Sequence, residues 1–146
     1  MSRNLLSERA TYVVGIGLHP YQRRSATTYV TLGLTAARQA LADAGIAWTD
    51  VDAAYTGTAV LGMGASRIML SRLGSTGIPM TQVENASASG SSAVAQACLD
   101  VASGRSDVVL ALGVDKPRGG LGAAPGSAGI ENLEGGTVVP FTHFAL

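Results

Sequence analysis

Apolar runs of strand length alternate with segments of helical period along most of this 146-residue chain, and that alternation restricts the fold more than any single motif. Thr11-Tyr12-Val13-Val14-Gly15-Ile16-Gly17 reads as a first strand, closed by the His19-Pro20 turn. Gly33, Ala37, Ala40, Leu41 and Ala44 then recur at helical spacing as a face of small residues. Gly45 follows and suits the left-handed position after a helix end. The segment 51–58 reads as a second strand, and the Leu61-Gly62-Met63-Gly64 turn leads into a short helix around Arg67 to Leu73. A third strand is expected at 80–86. Ala93, Val94, Ala97, Cys98 and Val101 mark a longer helix stopped by Gly104, and 107–114 is a fourth strand, apolar enough to be buried on both faces. Such alternation predicts an α/β fold, a mainly parallel sheet with helices packed against it.

From Lys116 to Gly136 glycine, proline and small residues take over, which predicts a loop region over 116–146 following a domain at 1–115. The final run, Pro140 to Leu146, stops on apolar residues without a helix cap, and truncation is the expectation there.

Charged residues make up only 14% of the chain against 47% hydrophobic. So little charge predicts that part of the surface is covered, by a partner or by further chain. The formal net charge is +0, with no basic stripe, which argues against nucleic acid. Arg23-Arg24 and Lys116-Arg118 read as solvated loop pairs. Cys98 is the single cysteine, so an internal disulfide or a cysteine cluster for metal is excluded. No signal peptide or membrane-spanning run is legible, and a cytoplasmic setting is the expectation.

The chemistry is expected at Val83-Glu84-Asn85-Ala86-Ser87-Ala88-Ser89-Gly90-Ser91-Ser92-Ala93-Val94. A buried strand ends there and small residues turn tightly into a helix. Ser89 is expected to cap that helix from about Gly90. Ser87 would then lie just before a helix N-terminus, where the backbone dipole favours negative charge. By itself such a serine is as readily a small turn residue.

Other candidates read as ordinary residues. His19 reads as a turn residue, Cys98 as a core residue and His143 as a packed histidine without metal-ligand companions. Gly15-x-Gly17 lacks the third glycine of a dinucleotide site. With Asn85 and Ser89 flanking at two residues, Ser87 does not form a hydrolase elbow.

The 83–94 segment resembles the thiolase motif in which Asn-x-Cys-x-Ser-Gly carries the acylated cysteine at a strand-to-helix turn. Colinear features support the resemblance: Gly57, Gly62, Gly64, Arg67 and the Gly74-to-Pro79 turn upstream, then Gly104, Asp107 and the strand ending Gly113-Val114-Asp115. The chain is similar to a thiolase N-terminal half over about Val13 to Asp115, nearest in pattern to the sterol-carrier and lipid-transfer-protein branch.

That resemblance implies an acyl-CoA C-acyltransferase acting on 3-ketoacyl-CoA in lipid or steroid side-chain metabolism, with Ser87 at the catalytic nucleophile position. It implies a coenzyme A thioester as substrate, no tightly bound cofactor, and a homodimer or larger assembly. Two departures matter. Serine replaces cysteine, and a hydroxyl needs an adjacent base to attack. The C-terminal half, which in the family supplies the catalytic histidine and a second cysteine, is not in the sequence, so this stretch alone is expected to be inactive. Two alternatives stay open: a retro-aldol lyase on a steroid-CoA with an OB-fold partner, and a non-catalytic acyl-CoA-binding subunit.

Overall fold

A computed structural model describes residues 4–22 and 26–116. Strands β1 (Ala53–Gly57), β2 (Met80–Val83) and β3 (Val109–Gly113) form a parallel sheet in the order β2-β1-β3. In register, Tyr55 stands opposite Thr81 on one side and Ala111 on the other. The helices are α1 (Leu5–Glu8), α2 (Tyr29–Ala44), α3 (Ala65–Leu70) and α4 (Ser89–Ala102). The second, third and fourth expected strands are all present, each shorter than its apolar run.

β1 is buried along its whole length because it lies between the other two strands and helices cover both faces. On one face, α2 and α3 contribute Leu34, Ala37, Leu41, Met69 and Leu70 to a cluster with Ala54, Leu110 and Leu112. On the other, Ala93 and Ala97 of α4 pack on Ala53 and Tyr55. Small residues set the layer spacing: a Cβ on Gly33 would lie 2.1 Å from the Met69 sulfur. Each fully buried large side chain such as Met69 or Leu70 stabilises the fold by about 1.5–3 kcal/mol.

The helix limits follow from local chemistry. Thr28 Oγ1 accepts the Thr31 N–H at 3.2 Å and opens α2. Gly45, at φ 69°, closes it, with the Ile46 N–H bonded to the Leu41 carbonyl at 3.1 Å. Asp52 starts β3 in turn: its carboxylate accepts the Asp107 and Val108 N–H groups at 2.8 and 3.0 Å. On α4, Asp100 is buried beside Ser106, and the exposed Arg105 guanidinium stands 3.5 Å from its carboxylate. Burial, and then the Asp100 carboxylate, push the Tyr55 hydroxyl above the usual tyrosine range.

The expected first strand, 11–17, is corrected. Its backbone belongs to no ladder. Instead it lies along α2, where the Ile16 N–H donates to Asp43 Oδ2 (2.9 Å) and the Leu18 N–H to Gln39 Oε1 (3.0 Å). Helix side chains thus take N–H groups that a neighbouring strand would take. Gly15 and Gly17 permit the approach, since Cβ atoms there would lie 2.3 Å from the Ala40 oxygen and 2.1 Å from the Ala36 oxygen. Between this segment and β3 runs an apolar groove of about 660 Å³, whose lining includes Tyr12, Val14, Val94, Cys98, Val109 and Ala111. β3 is therefore packed on both faces, yet its outer edge is bare among the described residues. Tyr12 and Val13 are more than 80% exposed (81% and 82%), in line with a surface left short of charge.

Candidate functional site

The site lies at the carboxyl ends of the parallel strands, where loops leave the sheet. β2 ends at Val83, and Glu84 and Asn85 lead into a single 3-10 turn, Ala86–Ala88, directly before α4. Ser87 occupies the middle of this turn and is exposed. Ala86 has φ 45°, the left-handed region that non-glycine residues seldom adopt. Its N–H is held by Glu84 Oε1 at 2.6 Å.

Further bonds fix the turn. The Asn85 N–H donates to Ser89 Oγ at 2.8 Å, Ser89 Oγ donates to the Ala86 carbonyl at 2.7 Å, and Asn85 Nδ2 donates to Ser92 Oγ at 2.9 Å. The network runs through the neighbours of Ser87 and bypasses its hydroxyl. The expectation that Ser89 caps α4 is corrected as well. Ser89 is the first residue of α4, Ala88 is the cap position, and no side chain caps the helix. The Ser89 hydroxyl is turned back into the preceding loop, and the Ser89 N–H, the first of α4, donates to the Ala86 carbonyl of the turn that carries Ser87.

Glycines bring this turn down onto the sheet. A Cβ on Gly57, the last residue of β1, would lie 2.4 Å from the Ser89 oxygen and 2.7 Å from the Gly90 nitrogen. At the end of β3, a Cβ on Gly113 would lie 3.9 Å from Gly90 Cα.

Sequence reasoning passed over three side chains that hold the surrounding loops. Asp115, just beyond β3, accepts Thr58 Oγ1–H at 2.5 Å and the N–H groups of Ala59 and Val60 at 2.9 and 3.0 Å. Thr58 Oγ1 in turn accepts the Leu61 N–H at 3.1 Å. Gln82 of β2 accepts the Ser66 N–H at 3.2 Å and donates to the Gly62 carbonyl at 3.3 Å. The available signal was position: a carboxylate directly after a buried strand sits at the sheet end that carries function.

The remaining candidates stay apart from Ser87. His19 Nδ1 contacts the Pro20 oxygen at 2.8 Å, as a turn residue does. Cys98 is half-buried on α4 and lines the apolar groove, so it is less enclosed than a core residue. Lys116 is no solvated loop residue; it is half-buried and its ammonium donates to the Thr27 carbonyl. Arg23, Arg24, Arg118 and His143 lie outside the described residues. Among the described residues no helix is long and apolar enough to cross a membrane, and no set of His, Cys, Asp and Glu converges for a metal.

A parallel sheet with helices on both faces and a tight small-residue turn at its carboxyl end, leading into α4, defines an α/β protein. Residues 12–117 match the profile of the thiolase N-terminal domain. The chain belongs to the thiolase family. It is 37% identical over 113 residues to an acetyl-CoA acetyltransferase of Methanocaldococcus jannaschii, covering 74% of this chain and 29% of that protein. To sterol carrier protein 2 of Homo sapiens it is 38% identical over 120 residues, 78% of this chain and 22% of the relative. Among solved structures, the Ltp2–ChsH2(DUF35) aldolase superposes with a TM-score of 0.54 at 31% identity, over 66% of this chain and 25% of that one. The chain thus spans less than a third of the length of each relative.

Proposed function

We propose that the full-length protein transfers acyl groups between coenzyme A thioesters and carbon nucleophiles, with residue 87 at the acyl-carrying position. One observation supports this above the others: Ser87 stands exposed directly ahead of the first turn of α4, which no side chain caps and which Gly57 admits to within contact of the sheet. Charge developing at that turn meets the positive end of a helix of 14 residues. The similarity to acetyl-CoA acetyltransferases points to the same substrate class. A homodimer or larger assembly is part of the proposal, with β2, an edge strand among the described residues, as the pairing strand.

A second reading is favoured by a specific feature: among the described residues no base bonds the Ser87 hydroxyl, and the one carboxylate in the turn, Glu84, is taken by the Ala86 N–H. A serine so placed does not ionise readily near neutral pH. Retro-aldol cleavage of a coenzyme A thioester needs an acid/base pair and no acyl-carrying thiol. The likeness to an aldolase that pairs with a DUF35 protein suits that chemistry and an OB-fold partner.

Intact mass of the full-length protein after incubation with a range of acyl-CoA substrates tests the first reading. An acyl adduct on Ser87→Cys, mapped to residue 87, is expected. A Ser87→Cys protein that stays unmodified throughout overturns it, and retained carbon–carbon cleavage would then favour the lyase.

A further inference from the structure

We infer that Asp115 is a positioning residue for position 87, acting through Thr58; this rests on the reading of residue 87 as the reacting position. The Asp115 side chain is exposed and belongs to neither apolar cluster, yet its two oxygens accept three donors from the loop after β1. The chief donor, Thr58, is 1% exposed. Its N–H donates to the carbonyl of Val83 at 3.0 Å, the last residue of β2 before the Ser87 turn. Its oxygen both donates to Asp115 and accepts from Leu61, closing the loop on itself. Asp115 is fastened from its own side too, since the Val114 N–H donates to the Gly57 carbonyl at 3.0 Å. Gly57 is the residue on which Ser89 and Gly90 rest.

One carboxylate therefore ties the exit of β3 to the exit of β1, and through Thr58 and Gly57 to both ends of the segment carrying Ser87. From the opposite side Gln82 grips the same loop at Gly62 and the start of α3 at Ser66. With Asp115 removed, two backbone N–H groups and a buried hydroxyl lose their acceptor. Nothing else among the described bonds would then hold Ala59 and Val60, and Thr58, its hydroxyl released, would carry Val83 with it through their backbone bond. A misplacement of about 1 Å at a reacting centre costs on the order of a hundredfold in rate.

The test uses the full-length protein in a Ser87→Cys background, comparing Asp115→Ala, Asp115→Asn, Thr58→Val and Thr58→Ser. The first readout is acyl transfer. The second is the pH profile of iodoacetamide alkylation of the thiol introduced at position 87, followed by peptide mass so that Cys98 is counted separately. Asp115→Ala and Thr58→Val are expected to lower kcat by roughly tenfold to a hundredfold with KM little changed. Both should move the alkylation midpoint upward, because the thiolate has left the α4 N-terminus. Thr58→Ser keeps the hydroxyl and should behave as the parent. Asp115→Asn keeps one acceptor oxygen and should fall between. An alkylation profile and kcat unchanged in Asp115→Ala would overturn the inference. So would equal losses in Asp115→Asn and Asp115→Ala accompanied by a collapse in Tm, which indicate a merely structural role. A parent that takes no acyl group defeats the acyl-transfer reading alone, since the alkylation profile still decides the part played by Asp115.

Discussion

Gly57 and Ser89 lie so close that no side chain fits between them: a Cβ on Gly57 would come within 2.4 Å of the Ser89 carbonyl oxygen and 2.5 Å of its carbon. Both obstructing atoms are backbone, so relief requires α4 to lift. Gly57→Ala is expected to destabilise the protein by about 1–3 kcal/mol, as overpacking does. The variant should also displace residue 87. Chemical denaturation checks the first effect, and an unshifted midpoint would contradict the contact.

Ser87 itself is exposed and takes no part in the hydrogen bonds of its turn. Ser87→Ala is therefore expected to leave stability within about 0.5 kcal/mol. Any function that needs an oxygen at position 87 should disappear with it. Measuring Tm and turnover on the same preparation separates a reacting side chain from a structural one.

Ala86 holds a left-handed conformation at φ 45°. Glycine adopts that region without steric cost, so Ala86→Gly should be neutral or mildly stabilising. A β-branched Ala86→Val should be destabilising by at least about 1 kcal/mol. Denaturant midpoints for the pair test the strain directly. If valine is as well tolerated as glycine, the turn does not require the left-handed residue.

Asp52 gives stability a dependence on acid. The N–H groups of Val108, and then Asp107, hold its carboxyl below the ordinary aspartate value of 3.8. A native pKa below the unfolded one stabilises the fold above the usual carboxylate pKa. That contribution disappears as pH falls through the native value. Tm between about pH 6 and pH 2 should fall less steeply in Asp52→Asn than in the parent, the gap between them being present near pH 6 and closing on the acid limb.

The paired strands were legible because a strand buried on both faces must be apolar throughout, as Val109 to Leu112 and Ala53 to Tyr55 are. The 11–17 segment carries the same signal, but composition reports an extended, apolar backbone and not what pairs with it. Its N–H groups at Ile16 and Leu18 went to Asp43 and Gln39, polar positions on α2 that look like surface in the sequence. At the site, the run of small residues around Ser87 announced a tight turn. The role of Ser89 was not legible, because a serine hydroxyl caps forward or backward with equal chemistry, and here it faces Asn85 and Ala86. Asp115 was hidden by distance along the chain, since Thr58 is 57 residues away.

The apolar groove beside β3 has a consequence for handling the protein. Beside the helix residues that floor it, the groove is bordered by a sheet edge unpaired among the described residues and by an extended, apolar segment, a combination that templates the addition of foreign strands. The Arg9–Asp107 ion pair stands among the groove's lining residues as a charged guard, but the run from Tyr12 to Ile16 carries no charge that would repel an incoming chain. Produced as an isolated stretch, residues 1–146 should bind hydrophobic dyes, associate with concentration and capture extended apolar peptides. A strand added at that edge would cover apolar surface that Tyr12 and Val13 leave exposed.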